Sequence, residues 1–384
     1  MRILLLSTAH DARDDRLYYK EARSLAKEHQ VDLLAPLHAI DKAWDDPAVR
    51  FEELKIGPSK LARICAVFRV LVSRKVRGYD VVHVCDTEML LAIPLLKAIT
   101  GAKIVCDIWE ANYELLLGDT SRPSVVRRLL ARTWQMIERR VAARSDLVLT
   151  ADARIAEGLG TNVHPVVIYN YPVLSVLRSC QKAGKEMRFE MEGKRLVVYA
   201  GSMTRARGVL EAVEMMACLK TTHPQTGLLL IGRLNADLKQ EVIARIARFQ
   251  LEKMVILVDW VEHSIVGGFL RCAEIGLVPF SRTAKFEKNI PQKIFEYWAF
   301  GIPVVATDLP PIRDYVDACK GGILVDRNDP AMMAEAVRSL LDDPVLRHSM
   351  GARGKSMVDL EWCWDKMENV LLAAYRRLKK RDSL

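Results

Sequence analysis

No apolar run in this 384-residue chain is long enough to cross a bilayer, a span that needs about 20 consecutive residues. The eight cysteines, Cys65, Cys106, Cys180 and Cys363 among them, are scattered without Cys-x-x-Cys spacing. Such scatter argues against zinc and against a disulfide framework, and suits the reduced, mostly buried thiols of a cytosolic protein. No Asp-x-Asp pair stands at the end of a strand pattern: Asp14-Asp15 and Asp342-Asp343 fall at helix starts or in loops, and the histidines are dispersed. A carboxylate-held metal is therefore not expected. The chain opens on the short apolar run 3–6, which lacks the length and cleavage region of a signal peptide, so a cytoplasmic location is expected. Basic residues are plentiful, yet no aromatic platform, helix-turn-helix or zinc motif accompanies them, and nucleic acid is not an expected partner.

What the chain does have is apolar residues, 50% of the total, enough at this length for two sizeable cores. Short apolar runs alternate with amphipathic helical patterns, the mark of βα units and a parallel sheet. Runs at 3–6, 31–35, 81–84, 103–106, 147–150 and 166–169 predict one set of strands. A polar stretch over 172–194 breaks the rhythm, which restarts at 196–200, 227–231, 255–258, 275–279, 303–307 and 323–325. The expected fold is α/β: two doubly wound, Rossmann-like domains, 1–172 and 173–360, facing across a cleft. An amphipathic segment, 361–384, follows and carries Trp362, Trp364 and Tyr375. Ligands of doubly wound sheets bind beyond the carboxyl ends of the strands, and the chemistry is expected in those loops.

Residues 289–307 are the most informative segment: Asn-Ile-Pro-Gln-Lys-Ile-Phe-Glu-Tyr-Trp-Ala-Phe-Gly-Ile-Pro-Val-Val-Ala-Thr. Pro291 suits the first turn of a helix, where its missing N–H needs no partner, and Gly301 suits a left-handed helix end. The pattern predicts a helix whose free N–H groups point at one place, with Lys293 in the first turn and Glu296 one turn on. A helix N-terminus with a lysine suits a phosphate. A carboxylate one turn deeper suits the hydroxyls of a sugar or ribose. Tyr199-Ala-Gly201 ends a strand and opens a turn, so the backbone of Gly201 and Ser202 can approach a ligand closely. Arg207, before Gly208, offers a guanidinium fork to a diphosphate; taken alone, Arg205 and Arg207 read equally as solvated loop charges. Together these residues describe a pocket for a nucleotide sugar, with Asn289 and Pro291 at its edge.

In chain order, the run 2–10, Asp15-Arg16, Lys20-Glu21, the run 79–96, the run 145–150, Asn170-Tyr-Pro172, Tyr199-Ala-Gly-Ser202, Arg207-Gly208 and the run 228–233 join that segment. The ordered set resembles the family-4 retaining glycosyltransferases of the GT-B fold over nearly the whole chain. The resemblance implies transfer of a hexosyl or related sugar from UDP-, GDP- or another nucleotide-diphosphate sugar, without a cofactor; the missing Asp-x-Asp pair makes metal-independent chemistry the expectation. The implied acceptor is a hydroxyl of a glycan or lipid-linked molecule, as in cell-surface polysaccharide or glycolipid biosynthesis. It implies retention by a same-face displacement, in which the leaving phosphate oxygen takes the acceptor's proton. Arg207 and Lys293 would stabilise the leaving diphosphate. Gly201, Ser202, Arg205, Asn289, Pro291 and Glu296 would hold the donor; His10, Arg16, Asp107, Trp109 and Glu110 would meet the sugar or acceptor. The terminal helix would cross back to the first domain.

The chain departs from the family pattern in three places. Ser202 stands where an arginine commonly follows the glycine, with Arg205 as a candidate substitute. Lys288, between Glu287 and Asn289, stands where the first of two glutamates is usual, eight positions before Glu296. Trp109, in Val105-Cys-Asp-Ile-Trp-Glu110, stands where a histidine usually contacts the sugar. Trp109 reads either as a packing residue, the sugar contact having moved to His10, or as a ring that stacks on a sugar face. The alternative function is accordingly a degenerate member that binds a nucleotide sugar without efficient transfer.

The net charge is +9, and part of the excess lies in two first-domain stretches. Residues 59–77 carry Lys60, Arg63, Arg69, Arg74, Lys75 and Arg77; residues 122–144 carry Arg122, Arg127, Arg128, Arg132, Arg139, Arg140 and Arg144, with Glu138 the lone acid. Basic amphipathic helices bind anionic lipid. Equally, such helices cover a sheet and leave their basic sides in water. A peripheral contact with the inner face of a membrane follows from the first reading.

Overall fold

The structure, a computed structural model, describes all residues except 38–43, 45, 58–59, 120, 180–191 and 381–384. Cys180 and most of the polar stretch 172–194 lie outside the described residues, as do the side chains of Lys60 and Arg74. Two compact units result: Met1–Asn170 with Trp364–Leu384, and Tyr171–Cys363.

The first unit holds seven strands: β1 (Arg2–Leu6), β2 (Gln30–Ala35), β3 (Val49–Glu53), β4 (Val81–Val84), β5 (Lys103–Ile108), β6 (Leu147–Thr150) and β7 (Val166–Val167). Every neighbouring pair is parallel, in the order β3-β2-β1-β4-β5-β6-β7. Their continuous apolar runs are explained by burial of both sheet faces. The pattern of apolar runs misses β3, a charged edge strand reading Val-Arg-Phe-Glu-Glu, in which only Val49 is fully buried. The run 166–169 pairs over two residues instead of four.

The second unit repeats the plan with β8 (Arg195–Ala200), β9 (Thr226–Ile231), β10 (Val255–Val258), β11 (Ala273–Val278), β12 (Val304–Thr307) and β13 (Gly322–Val325). These are parallel throughout, in the order β10-β9-β8-β11-β12-β13. Strand order reverses between β1 and β4 in one sheet and between β8 and β11 in the other. A doubly wound sheet opens its ligand crevice at such a reversal.

Helix Trp364–Lys380 belongs to the first unit. Its Trp364 indole N–H donates to Ser24 Oγ at 2.9 Å, the Lys103 ammonium donates to the Leu378 carbonyl at 2.6 Å, and Leu371 and Tyr375 are wholly buried. The two basic helices, Lys60–Val72 and Ser124–Ala142, contribute Val67, Val70, Leu71, Val141 and Ala142 to one core with Ile93 and Leu96. Covering the sheet does not consume their apolar residues, however. Phe68, Val72, Val125 and Leu129 are 64, 80, 68 and 65% exposed. No helix among the described residues is long and apolar enough to cross a membrane.

Of the described cysteines, Cys85, Cys106, Cys319 and Cys363 are buried and Cys65, Cys218 and Cys272 exposed, all of them free thiols.

Candidate active site

In the second unit β8 ends at Ala200, and the chain turns at Gly201 with φ 106°, a conformation that favours glycine. The Gly201 N–H donates to the Ile231 carbonyl at 2.8 Å. Gly232, φ 139°, lets the next turn close on this one: a Cβ there would lie 2.2 Å from the Gly201 oxygen. Helix Lys293–Ala299 starts against the same turn, two residues after Pro291. The proline pattern placed that start too early. Ile294 and Phe295 N–H donate to the carbonyls of Pro291 and Gln292, three residues back, so the entry is a tight turn and the α-helix begins at Lys293.

Lys293 is the centre of this group of residues. Its Nζ lies 3.8 Å from the Tyr199 ring centroid and 5.2 Å from that of Phe280, and a Cβ on Gly201 would touch it at 3.8 Å. The ammonium is buried and has no hydrogen-bond acceptor. Burial first and Arg207 second hold it well below the usual lysine range, with Glu296 opposing. Arg207 reaches the same place, with Nη1 donating to the Ser202 carbonyl at 3.0 Å and its guanidinium 5.8 Å from the Phe280 ring. Glu296 is buried one turn along the helix and accepts from Gln292 Nε2 at 3.0 Å. Gly201, Ser202, Arg207, Lys293 and Glu296 thus come together. Asn289 lies just before the helix with its carbonyl Oδ1 buried and unpartnered.

Arg205 does not join them. It is exposed and ion-paired with Glu241 on the neighbouring helix Ala236–Phe249. Glu287 pairs with Arg282 at 3.3 Å.

In the first unit the loop after β1 is built on Asp86, which is buried at the end of β4. Asp86 accepts from Ser7 Oγ at 2.7 Å, from the Ala9 N–H at 3.1 Å and from the Thr8 N–H, and Ser7 Oγ in turn accepts the His10 N–H at 2.8 Å. The loop presents His10 against Trp109, with ring centroids 4.3 Å apart at 42°. Trp109 follows β5, and its indole N–H donates to Asp107 Oδ2 at 2.5 Å. Packing on His10 and a tied N–H are both true of this ring. Glu110 is exposed at the same loop.

Arg16 and Asp107, expected to meet the sugar or acceptor, are instead partners of each other beneath Trp109. Arg16 Nη2 donates to Asp107 Oδ1 at 3.1 Å, Nη1 donates to the Ile168 carbonyl at 2.7 Å, and Nε lies 2.7 Å from Glu21. Both are almost wholly buried, because the helical segment Asp15–Ala22 packs inward over the strand ends. His83 completes the cluster: Nε2 faces Asp107 at 3.5 Å and Glu21 at 3.8 Å, and Nδ1 lies 2.7 Å from the Tyr375 hydroxyl. Two carboxyl groups beside Nε2 place the ring proton there, which makes Nδ1 the acceptor of the Tyr375 hydroxyl. Burial and then Asp107 push the Glu21 carboxyl well above its ordinary range, with Arg16 opposing. Burial works against the Asp107 carboxylate too, but Arg16 and then His83 hold it below its ordinary range.

Donor atoms of Glu21, His83, Cys85 and Asp107 lie within 4.8 Å of one another, a spacing that suits a metal. The Arg16 guanidinium already supplies the cation between the two carboxyl groups, so the cluster is an ion-pair network. Sequence patterns pass over Glu21, His83 and Tyr375 as a group, because no spacing links positions this far apart.

Residues 184–357 match the family described as Glycosyl transferases group 1, and residues 19–170 match the one described as Glycosyl transferase 4-like domain. D-inositol 3-phosphate glycosyltransferase 1 of Catenulispora acidiphila is 33% identical over 349 residues, 84% of this chain and 78% of that protein. Several other curated relatives are 23 to 25% identical, and the chain spans only 42 to 55% of their length. Among solved structures, sucrose-phosphate synthase from Thermosynechococcus elongatus matches with a TM-score of 0.79 at 18% identity, over 99% of both chains. HepE from Anabaena, solved in complex with UDP-glucose, matches with a TM-score of 0.74 at 14% identity, over 98% of this chain and 100% of that one.

Proposed function

Because the chain belongs to the family-4 glycosyltransferases of the GT-B fold, we propose that it moves a sugar, with retention, from a nucleotide-diphosphate sugar to a hydroxyl of a glycan or lipid-linked acceptor. The observation that carries this reading is the convergence of Lys293, Arg207 and the Gly201 turn on one place, with Glu296 one helical turn away. The turn lets backbone approach a diphosphate, the two cations match its charge, and Glu296 suits the ribose hydroxyls. The Anabaena neighbour, which binds UDP-glucose, supports a nucleotide sugar as the donor.

In this reading the bond from the anomeric carbon to the diphosphate breaks on the face where the acceptor oxygen bonds. The leaving phosphate oxygen takes the acceptor's proton, and Arg207 and Lys293 stabilise the charge that forms on it. The positive charge comes from side chains, so turnover should survive excess chelator; complete loss, restored by magnesium or manganese, would replace this part of the reading. Incubation with a panel of nucleotide sugars tests the whole, with release of the nucleoside diphosphate as the readout. Release from none of them leaves the second reading, a binder without transfer. That reading is favoured by one observation: the group at the usual histidine position is Trp109, whose indole N–H is committed to Asp107.

The exposed apolar residues of the two basic helices favour a lipid surface beside the first unit, with the protein peripheral at a cytoplasmic membrane face. Phe68 and Val72 flank Arg69, and Val125 and Leu129 flank Arg128, all exposed. Apolar side chains that enter the headgroup region beside cations that meet anionic lipid are the two elements of interfacial binding. A pathway in cell-surface polysaccharide or glycolipid synthesis accords with that location.

A further inference from the structure

We propose that a diphosphate enters the second-unit pocket together with a proton, which Lys293 takes up as the ligand binds. The inference rests on the nucleotide-sugar reading of that pocket and adds to it where the charge on this lysine comes from.

The Lys293 Nζ is buried and no oxygen of the protein accepts from it. The groups around it are poor company for an ammonium. From β8 comes the face of Tyr199, whose hydroxyl burial keeps protonated and donates to the Arg207 carbonyl at 3.1 Å. From the loop after β11 comes the Phe280 ring. From the segment Arg205–Arg207 comes a second cation, Arg207. Its own helix supplies Tyr297, kept neutral by burial with its oxygen accepting the Ala200 N–H at 2.8 Å, and Glu296, the one acid that favours the charge. Glu211, on helix Val209–Leu219, acts on Tyr199 and is itself pushed up by burial. An aromatic face attracts an ammonium by about 2 kcal/mol at best, less than the several kcal/mol that burying one costs. These surroundings favour the neutral amine over the ammonium, in keeping with the direction in which burial and Arg207 drive this lysine.

A diphosphate reverses each of these terms. It brings anionic oxygens to an amine that has no acceptor, and it offsets Arg207. The nitrogen lone pair takes a proton from solvent, an N–H bond forms, and the ammonium donates to a phosphate oxygen; release of the diphosphate returns the proton.

Titration calorimetry of the full chain with UDP, GDP and ADP at pH 8, repeated in buffers of different ionisation enthalpy, measures the proton count. The expected result is uptake of about one proton per diphosphate bound, with affinity falling up to about tenfold per pH unit while the free lysine is neutral. The Lys293→Arg variant keeps the charge permanently, so it should bind without uptake. Binding whose heat is independent of buffer overturns the proposal. So does uptake that survives in Lys293→Arg, because the proton then goes elsewhere. If none of the three diphosphates gives a binding heat, the nucleotide-sugar reading fails and takes the proposal with it, an outcome distinct from binding without uptake.

Discussion

The Tyr375 hydroxyl sits 2.7 Å from Nδ1 of His83, which ties the last helix of the chain to the strand at the centre of the first sheet. Both residues are wholly buried, so this bond is made without competition from water. It also fixes the His83 ring, whose other nitrogen faces Asp107, the residue that holds Trp109.

Replacing Tyr375 by phenylalanine should leave Nδ1 buried and unpaired. The expected loss is about 1–3 kcal/mol of stability, the cost of an unsatisfied buried group. Urea unfolding would read this as a lower midpoint with an unchanged slope. An unchanged midpoint would mean that the hydroxyl contributes nothing.

Glu21 gives stability a pH dependence with a definite sign. Its folded carboxyl keeps a proton that the unfolded chain loses near pH 4.3, so the folded state binds more protons and stability falls as pH rises toward the folded value. Asp107 acts oppositely, losing its contribution only as pH drops through the acid range. Glu21→Gln, which is neutral at every pH, should therefore gain on the native chain between pH 5 and pH 8, as read from urea midpoints at the two values. A difference that shrinks with pH would reverse the assignment.

Arg207→Ala should lower turnover on the order of a hundredfold while leaving the melting temperature nearly unchanged, because the residue is partly exposed and its charge is needed mainly by the leaving diphosphate. Near-normal turnover would remove it from the donor site.

Gly232→Ala should be costly twice over. Its positive φ strains any side chain, by about 1–3 kcal/mol, and the added Cβ would press on the Gly201 oxygen and displace the donor turn. Loss of both stability and diphosphate affinity is expected, measured by melting temperature with and without UDP; a variant with native values in both would show that the two turns are independent.

For the membrane, exchanging Phe68, Val72, Val125 and Leu129 for serine should weaken sedimentation with anionic vesicles without altering nucleotide binding. Reversing Arg69, Arg128 and Arg132 to glutamate should abolish it. In the native chain, binding should decline as salt shortens the Debye length below about 8–10 Å. If native protein ignores anionic vesicles at low salt, the exposed residues serve another purpose.

The parallel strands were legible because strands buried on both faces must be apolar along their whole length, as Leu4, Leu5 and Leu6 are. β3 escaped because an edge strand needs only alternate burial. The donor pocket was legible for a local reason: the Gly201 turn and the Lys293–Glu296 pair are each contiguous in sequence, and backbone geometry decides what they do. The cluster of Arg16, Glu21, His83, Asp107 and Tyr375 was not, since its members meet only through the sheet order and the return of the last helix. Asp107 and Arg16 carried the chemistry of a site but were consumed by each other, which composition cannot reveal.

The first unit contains both the opening 170 residues and the helix Trp364–Lys380, with the whole of Tyr171–Cys363 inserted between them. During synthesis at about 5–20 residues per second, tens of seconds separate the emergence of His83 from that of Tyr375. Until then His83 lacks its Tyr375 partner, whereas the second unit is one uninterrupted stretch of sequence. The first unit can thus be completed only after every residue of the second has been made, although its own first residues come earlier.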